Sequence, residues 1–338
     1  MRVLLIKTSS MGDVLHTLPA LSDAVRMVPG IRFDWVVESA FADIPRWHPA
    51  VDQVISIELR KWRRHFFSRE NLHEWRACRA LLQANSYDLI LDAQGLIKSA
   101  LLSVFAKGAR AGLDFYSARE SLAALFCQRK YSVNFYQHAV IRMRRLFSLA
   151  LNYHLPETPP DFSLDRHQFK QVGQTENYIV LLHSTTWRSK EWPESYWRAL
   201  IALITQHGLR VKIGGGSPDE LARAKRLAAD FTSVDLLPRF SIDETVRLLA
   251  NATGAVAVDT GFGHLAAALG LPIVSIYGST NPIWTGALGD RSVHLTAQFP
   301  CAPCLKRACT YREPSSVTPA CYTDLTPLRV WQMLAVYL

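Results

Sequence analysis

Asp13 stands in the stretch "KTSSMGDVLHTLPAL", directly after the apolar run "MRVLLI" and at the start of a helical pattern. In nucleotide-binding folds this strand-to-helix junction holds phosphate on glycine-rich backbone and free helix amides. Here there is one glycine, Gly12, and a carboxylate that would compete with phosphate for the same amides. The stretch is therefore a poor phosphate site. Two readings stay open: Asp13 caps its own helix, or it acts as a general base towards a sugar hydroxyl. A carboxylate of pKa ~3.9 is ionised at neutral pH but feebly basic, so the second reading requires proton transfer to accompany bond formation.

Three further stretches follow β-rich runs. "HSTTWRSKEW" offers hydroxyl donors at Thr185 and Thr186 and a compact cation at Lys190, a set that suits a diphosphate or, more blandly, caps the next helix beside a solvated lysine. "KIGGGSPDE" places three glycines before a helix start with Pro218 and Glu220. Such a loop admits a nucleotide, with Glu220 accepting from ribose or adenine, but a tight turn would use the same glycines. In "AVAVDTGFGHLAAALGLPIVSIYG" a strand ends at Asp259 and a helix opens over Gly261 to His264. Thr260 and the unpaired amides there suit phosphate, while Asp259 would repel it and fits sugar hydroxyls or an N-cap.

The elements that must position these residues are legible as alternation. "RVLLIK", "RFDWVVE", "QVISIE" and "YDLILDA" read as strands separated by amphipathic helices, and the pattern restarts with "YIVLLHS", "LRVKIGGG", "VDLL", "AVAVDT" and "PIVSIYG". That is α/β with parallel sheets, in two domains that would face one another across a cleft. The expected divisions are 1–160, a Pro-rich and polar linker at 161–177, 178–325, and a terminal helix at 326–338 packing back on the first domain. Leu15, Leu18, Leu21, Val25 and Val28 trace an apolar helix stripe, bent at Pro19.

Composition narrows the class. The 338 residues are 49% hydrophobic and 20% charged, as in ordinary globular chains, and Lys plus Arg exceed Asp plus Glu by 38 to 29 for a net charge of +9, which favours anionic partners. No segment approaches the ~20 apolar residues of a membrane span, and "MRVLLIK" is too short for a signal peptide, so the expected compartment is the cytoplasm. "LRKWRRHFF" gathers Arg60, Lys61, Arg63 and Arg64 among aromatics, a solvated edge or a surface worth about 1 kcal/mol per cation near anionic headgroups. Nucleic acid is disfavoured because no recognised module accompanies the charge. An NAD-dependent oxidoreductase is disfavoured by the missing GxGxxG glycines. Cys301, Cys304, Cys309 and Cys321 have a spacing that zinc tolerates, although reduced thiols are the simpler state.

Together, "KTSSMGDVLHTLPAL", "HSTTWRSKEWP" and "DTGFGHLAAALGLPIVSIYGSTNP" resemble the lipopolysaccharide heptosyltransferases, over essentially the whole chain. The resemblance implies the glycosyltransferase B architecture of two Rossmann-like domains, with acceptor bound by the first and nucleotide sugar by the second. It implies inverting transfer of heptose from ADP-L-glycero-β-D-manno-heptose to the Kdo of Kdo2-lipid A, without metal or cofactor, by a protein peripheral on the cytoplasmic face of the inner membrane. Another transferase of the same family, using a different acceptor, is the alternative. Residue by residue, Asp13 matches the base. Thr185, Thr186 and Lys190 match the diphosphate region, Glu220 and Phe240 the adenosine side, and Asp259, Thr260, Gly261 and His264 the heptose and phosphates. Phe240 departs from the methionine the resemblance leads us to expect, and leaves adenine contact by stacking. Arg60, Lys61, Arg63, Arg64, Lys98 and Arg119 fall on the acceptor side.

Overall fold

The apolar runs of the sequence are continuous because their strands lie inside parallel sheets covered on both faces. In the computed structural model, which describes residues 1–64, 68–171, 173 and 176–338 without the side chains of Arg60, Arg63 and Arg64, the chain divides into Met1–Leu164 and Asp165–Leu338. Each unit holds a six-stranded, wholly parallel sheet. The first runs β1 (Arg2–Ile6), β2 (Arg32–Glu38), β3 (Val51–Ile57), β4 (Leu89–Asp92), β5 (Arg110–Leu113) and β6 (Arg129–Tyr131), in the order β3-β2-β1-β4-β5-β6. The second runs β7 (Tyr178–Leu182), β8 (Arg210–Ile213), β9 (Val234–Leu236), β10 (Gly254–Val258), β11 (Ile273–Tyr277) and β12 (Ser292–Thr296), in the order β12-β11-β10-β7-β8-β9.

Both sheets thus repeat one topology, in which strand order reverses between the first strand and the fourth. In such Rossmann-like sheets the connections on either side of the reversal leave towards opposite faces and open a crevice at the carboxyl ends of those two strands. That point lies between β1 and β4 in the first unit and between β7 and β10 in the second.

Three sequence expectations change. The short β5, β6 and β12 are absent from the sequence reading, since "RAGL", "RKY" and "SVHLT" are too brief and polar to show a period. The helix after β1 is broken rather than bent. It runs Met11–Leu15, then restarts as Leu18–Met27 with Pro19 near its start, where a missing N–H costs nothing. Val25, expected on its buried stripe, is 44% exposed. The terminal helix Pro327–Ala335 buries Val330, Trp331 and Leu334 in the second unit's own core, among Ile204, Val256 and Val274.

Helix Leu18–Met27 is held against helix Ala139–Ala150 by a buried ion pair. Arg144 Nε and Nη2 donate to the two oxygens of Asp23 at 2.6 and 3.2 Å, and Nη2 also donates to the Pro156 carbonyl at 3.0 Å. The side chains are 3% and 1% exposed, so neither charge has water to fall back on. Arg144→Met is expected to cost about 3–5 kcal/mol in urea unfolding, and the double change with Asp23→Leu to recover most of it. A single-variant cost below about 1 kcal/mol would show that the pair does not secure these helices.

Candidate functional sites at the two strand-order reversals

In the first unit the loop leaving β1 is tied across the reversal to the loop leaving β4. Gln94 Oε1 accepts from the Thr8 and Ser9 amides at 3.0 and 3.2 Å. The chain then enters helix Met11–Leu15, where Asp13 Oδ2 accepts from the Ser10 amide at 2.8 Å and from its hydroxyl at 2.9 Å. The capping reading is therefore realised. It occupies one oxygen, and Oδ1 has no hydrogen-bond partner among the described residues, so the cap aims a carboxylate that is still able to take a proton.

Cations surround it. Lys7 is buried and donates from Nζ to the Ala93 carbonyl at 2.9 Å. Burial lowers its pKa, against the raising effect of Asp13 and Asp92. Arg142, on helix Ala139–Ala150, lies within the field of Asp13 and donates to the Ser117 carbonyl at 3.3 Å. Burial pushes the Asp92 carboxyl up to about 6, against the amides of Gln94 and Gly95 and the Ser99 hydroxyl that bond it.

The expected acceptor-side residues have different surroundings. Lys98 and Arg119 are exposed, and the segments bearing them are joined by the Ile97 amide on Glu120 Oε2 at 2.7 Å and the Glu120 amide on the Gly95 carbonyl at 3.1 Å. Lys61 is engaged by Glu70 and Glu74 at 2.8 and 2.7 Å, which removes it as a free cation. Phe66 and Phe67 of the same stretch lie outside the described residues, as do the side chains of Arg60, Arg63 and Arg64.

In the second unit Thr185 bridges the reversal, its hydroxyl donating to the Asp259 carbonyl at 3.0 Å. Asp259 is not an N-cap; Thr260 takes that position for helix Gly261–Ala268. The Asp259 carboxylate instead pairs with Lys190 Nζ at 2.7 Å, accepts from the Thr280 hydroxyl at 2.8 Å, and faces His264 Nε2 at 3.8 Å. Burial favours the neutral acid, but His264 and Lys190 outweigh it and hold the carboxyl well below the usual range. Lys190 also lies 4.5 Å from the centre of the Trp187 ring. Thr186 is exposed, and the first turn of helix Gly261–Ala268 presents amides that no intrahelical carbonyl can reach. Gly263 lets that helix approach β10, since a Cβ there would meet Ala257 Cβ at 3.1 Å.

Glu220 is drawn into its own helix cap: Oε2 accepts from the Gly216 and Ser217 amides at 2.7 and 3.0 Å. Gly215 is needed for this turn, because a Cβ would meet Glu220 Cβ at 2.6 Å. Phe240 is half-buried just before the capping Ser241 of helix Ile242–Asn251. The four clustered cysteines line one cavity with Ser189, Ser279 and Tyr311, and all are free thiols. Burial and the neighbouring thiols push Cys321 up to about 12. Among the described residues no three His, Cys, Asp or Glu side chains are grouped to hold a metal ion, and no helix is long and apolar enough to cross a membrane.

Lys7, Gln94, Arg142 and Thr280 were missed by sequence reasoning. Lys7 and Thr280 follow strands directly and were open to the strand-end rule, whereas Gln94 and Arg142 acquire meaning only from what they face.

The Lys190–Asp259 pair is 15% and 8% exposed, so Asp259→Asn is expected to cost about 3–5 kcal/mol near neutral pH. The folded pKa is depressed, so this contribution is complete above the ordinary carboxylate value of ~3.9 and is lost as pH falls through the folded one. Urea unfolding of wild type and variant should converge on acidification; a gap constant from about pH 7 to about pH 3 would contradict this.

Comparison with known proteins gives the family. The profile of glycosyltransferase family 9 (heptosyltransferase) matches residues 75–314. The chain is 50% identical to lipopolysaccharide heptosyltransferase 1 of Pseudomonas aeruginosa, covering 100% of this chain and 98% of that one. Among solved structures it superposes on Escherichia coli heptosyltransferase WaaC with ADP at a TM-score of 0.89, with 43% identity and full coverage of both chains. The same enzyme with ADP-2-deoxy-2-fluoro heptose gives a TM-score of 0.85 at 43% identity, again with both chains fully covered. A chain with this topology, this likeness along its whole length and this profile match belongs to glycosyltransferase family 9, the heptosyltransferases.

Proposed function

We propose that the protein transfers L-glycero-D-manno-heptose from ADP-heptose to the Kdo of Kdo2-lipid A, inverting the anomeric centre in one displacement. Likeness over the full chain to heptosyltransferase 1, and to a structure holding an ADP-heptose analogue, supports the donor and the sugar. The observation that carries the mechanism is the unbonded Oδ1 of Asp13 at the strand-order reversal of the first unit, among cations. As the acceptor oxygen bonds to the anomeric carbon, its proton passes to Asp13 and the bond to ADP breaks.

The charge that grows on ADP falls to the second unit. Lys190 and the free amides at Thr260 and Gly261 offset it, Thr185 and Thr186 hold the diphosphate, and Glu220 and Phe240 flank the adenosine. Asp259 positions Lys190, and with His264 lies on the heptose side. These groups supply a base and a charge stabiliser from the chain itself, so no metal is called on. Lys98 and Arg119, together with the basic stretch of residues 60–64, supply the positive charge for the phosphates and carboxylates of the acceptor. Several cations acting together would also seat the protein reversibly on the anionic cytoplasmic face of the inner membrane.

Asp13→Asn is expected to lower kcat by about 10²- to 10⁴-fold while leaving the affinity for ADP-heptose within about twofold. Equal turnover by the variant would remove Asp13 as base. ADP release should be seen with ADP-heptose and Kdo2-lipid A; release only with an already heptosylated acceptor would overturn the acceptor assignment.

A further inference from the structure

Arg144 holds Asp23 and Lys190 holds Asp259, whereas Lys7 donates to the Ala93 carbonyl and lies in the field of Asp13 and Asp92. Arg142, which is half-buried in the field of Asp13, resembles Lys7 in this. Among the described residues no carboxylate is within ion-pair distance of it, its one hydrogen bond goes to the neutral Ser117 carbonyl, and its Nε is shut from solvent without a partner. The Phe135 ring lies 4.5 Å below the guanidinium carbon and fixes its plane.

Its position is set independently of its charge. The helix that carries it begins at His138, whose ring stands 5.6 Å edge-on to His16 at the end of the Asp13 helix, and its Met143 Sδ is 3.9 Å from Lys7 Nζ. Arg142 therefore belongs to the Asp13 crevice. A guanidinium holds its N–H donors in a planar fork that matches a carboxylate in two parallel bonds, and an unmet buried N–H is costly until such a partner arrives.

We propose that Arg142 receives the carboxylate of the acceptor sugar and thereby positions the attacking hydroxyl at Asp13 Oδ1. The inference rests on the acceptor reading above, and goes beyond it in assigning one anionic group to one residue. A phosphate of the lipid portion has related chemistry, and the test separates the two.

Steady-state transfer from ADP-heptose is measured on the full chain as wild type, Arg142→Gln and Arg142→Lys, with three acceptors: Kdo2-lipid A, its Kdo methyl ester, and its dephosphorylated form. Arg142→Gln should raise the acceptor KM by about ten- to a hundredfold with the ADP-heptose KM unchanged, which also reports an intact chain. Arg142→Lys should recover part of the loss. Esterification should cost wild type a similar factor and cost Arg142→Gln little more, while dephosphorylation costs both equally. Equal losses on esterification in wild type and variant would overturn the assignment, as would a difference that disappears on dephosphorylation instead. Wild type that transfers to no Kdo-bearing acceptor would overturn the acceptor reading itself.

Discussion

Parallel strands must be re-entered from the same end, so every connection in these sheets crosses over a face, and the face changes where strand order reverses. That constraint fixes where this protein can hold ligands. At the reversal two loops diverge, leaving backbone donors and strand-end side chains without neighbours of their own. Polar bridges cross each gap, among them Gln94 to the Thr8 and Ser9 amides in the first unit and Thr185 to the Asp259 carbonyl in the second. The candidate site residues Asp13 and Lys190 stand on the connections these bridges tie.

Electrostatics then separate two sites built on one topology. In the second unit the cation and anion are paired: Lys190, Asp259, Thr280 and His264 form a local network, in which a lysine above Trp187 is held by a carboxylate kept ionised by its neighbours. In the first unit Lys7 and Arg142 lie within the field of Asp13 without an ion pair to it among the described residues, and Arg119 acts on Lys7 from further off. Under the proposed function, an anionic acceptor would meet the cations of the first site, and charge growing on the leaving group would meet an oriented lysine and helix-terminal amides in the second.

The capping and catalytic readings of Asp13 are compatible. Ser10 takes Oδ2 with both its amide and its hydroxyl, which fixes the carboxylate plane and leaves Oδ1 free. Glu220 is a parallel case: its Oε2 accepts from the Gly216 and Ser217 amides, beside a turn that tolerates no Cβ at Gly215. In both, an acid three residues into a helix spends one carboxylate oxygen on the cap.

By itself the sequence determined the α/β class, the two-part division and the strand ends at Ile6, Leu182 and Val258, because buried parallel strands are written as unbroken apolar runs followed by glycine, hydroxyl and acid. It also singled out Asp13, Thr185, Lys190 and Asp259 as candidates on the connections that follow such ends. It left β5, β6 and β12 unread, since three to five residues carry no period and edge pairing needs a partner strand already in place. Only the tertiary structure decided which charges are spent. Lys61 meets Glu70 and Glu74, Asp259 meets Lys190, and Arg142 has no carboxylate in ion-pair reach among the described residues, because pairing depends on distances between segments far apart in the chain, and local spacing does not encode them.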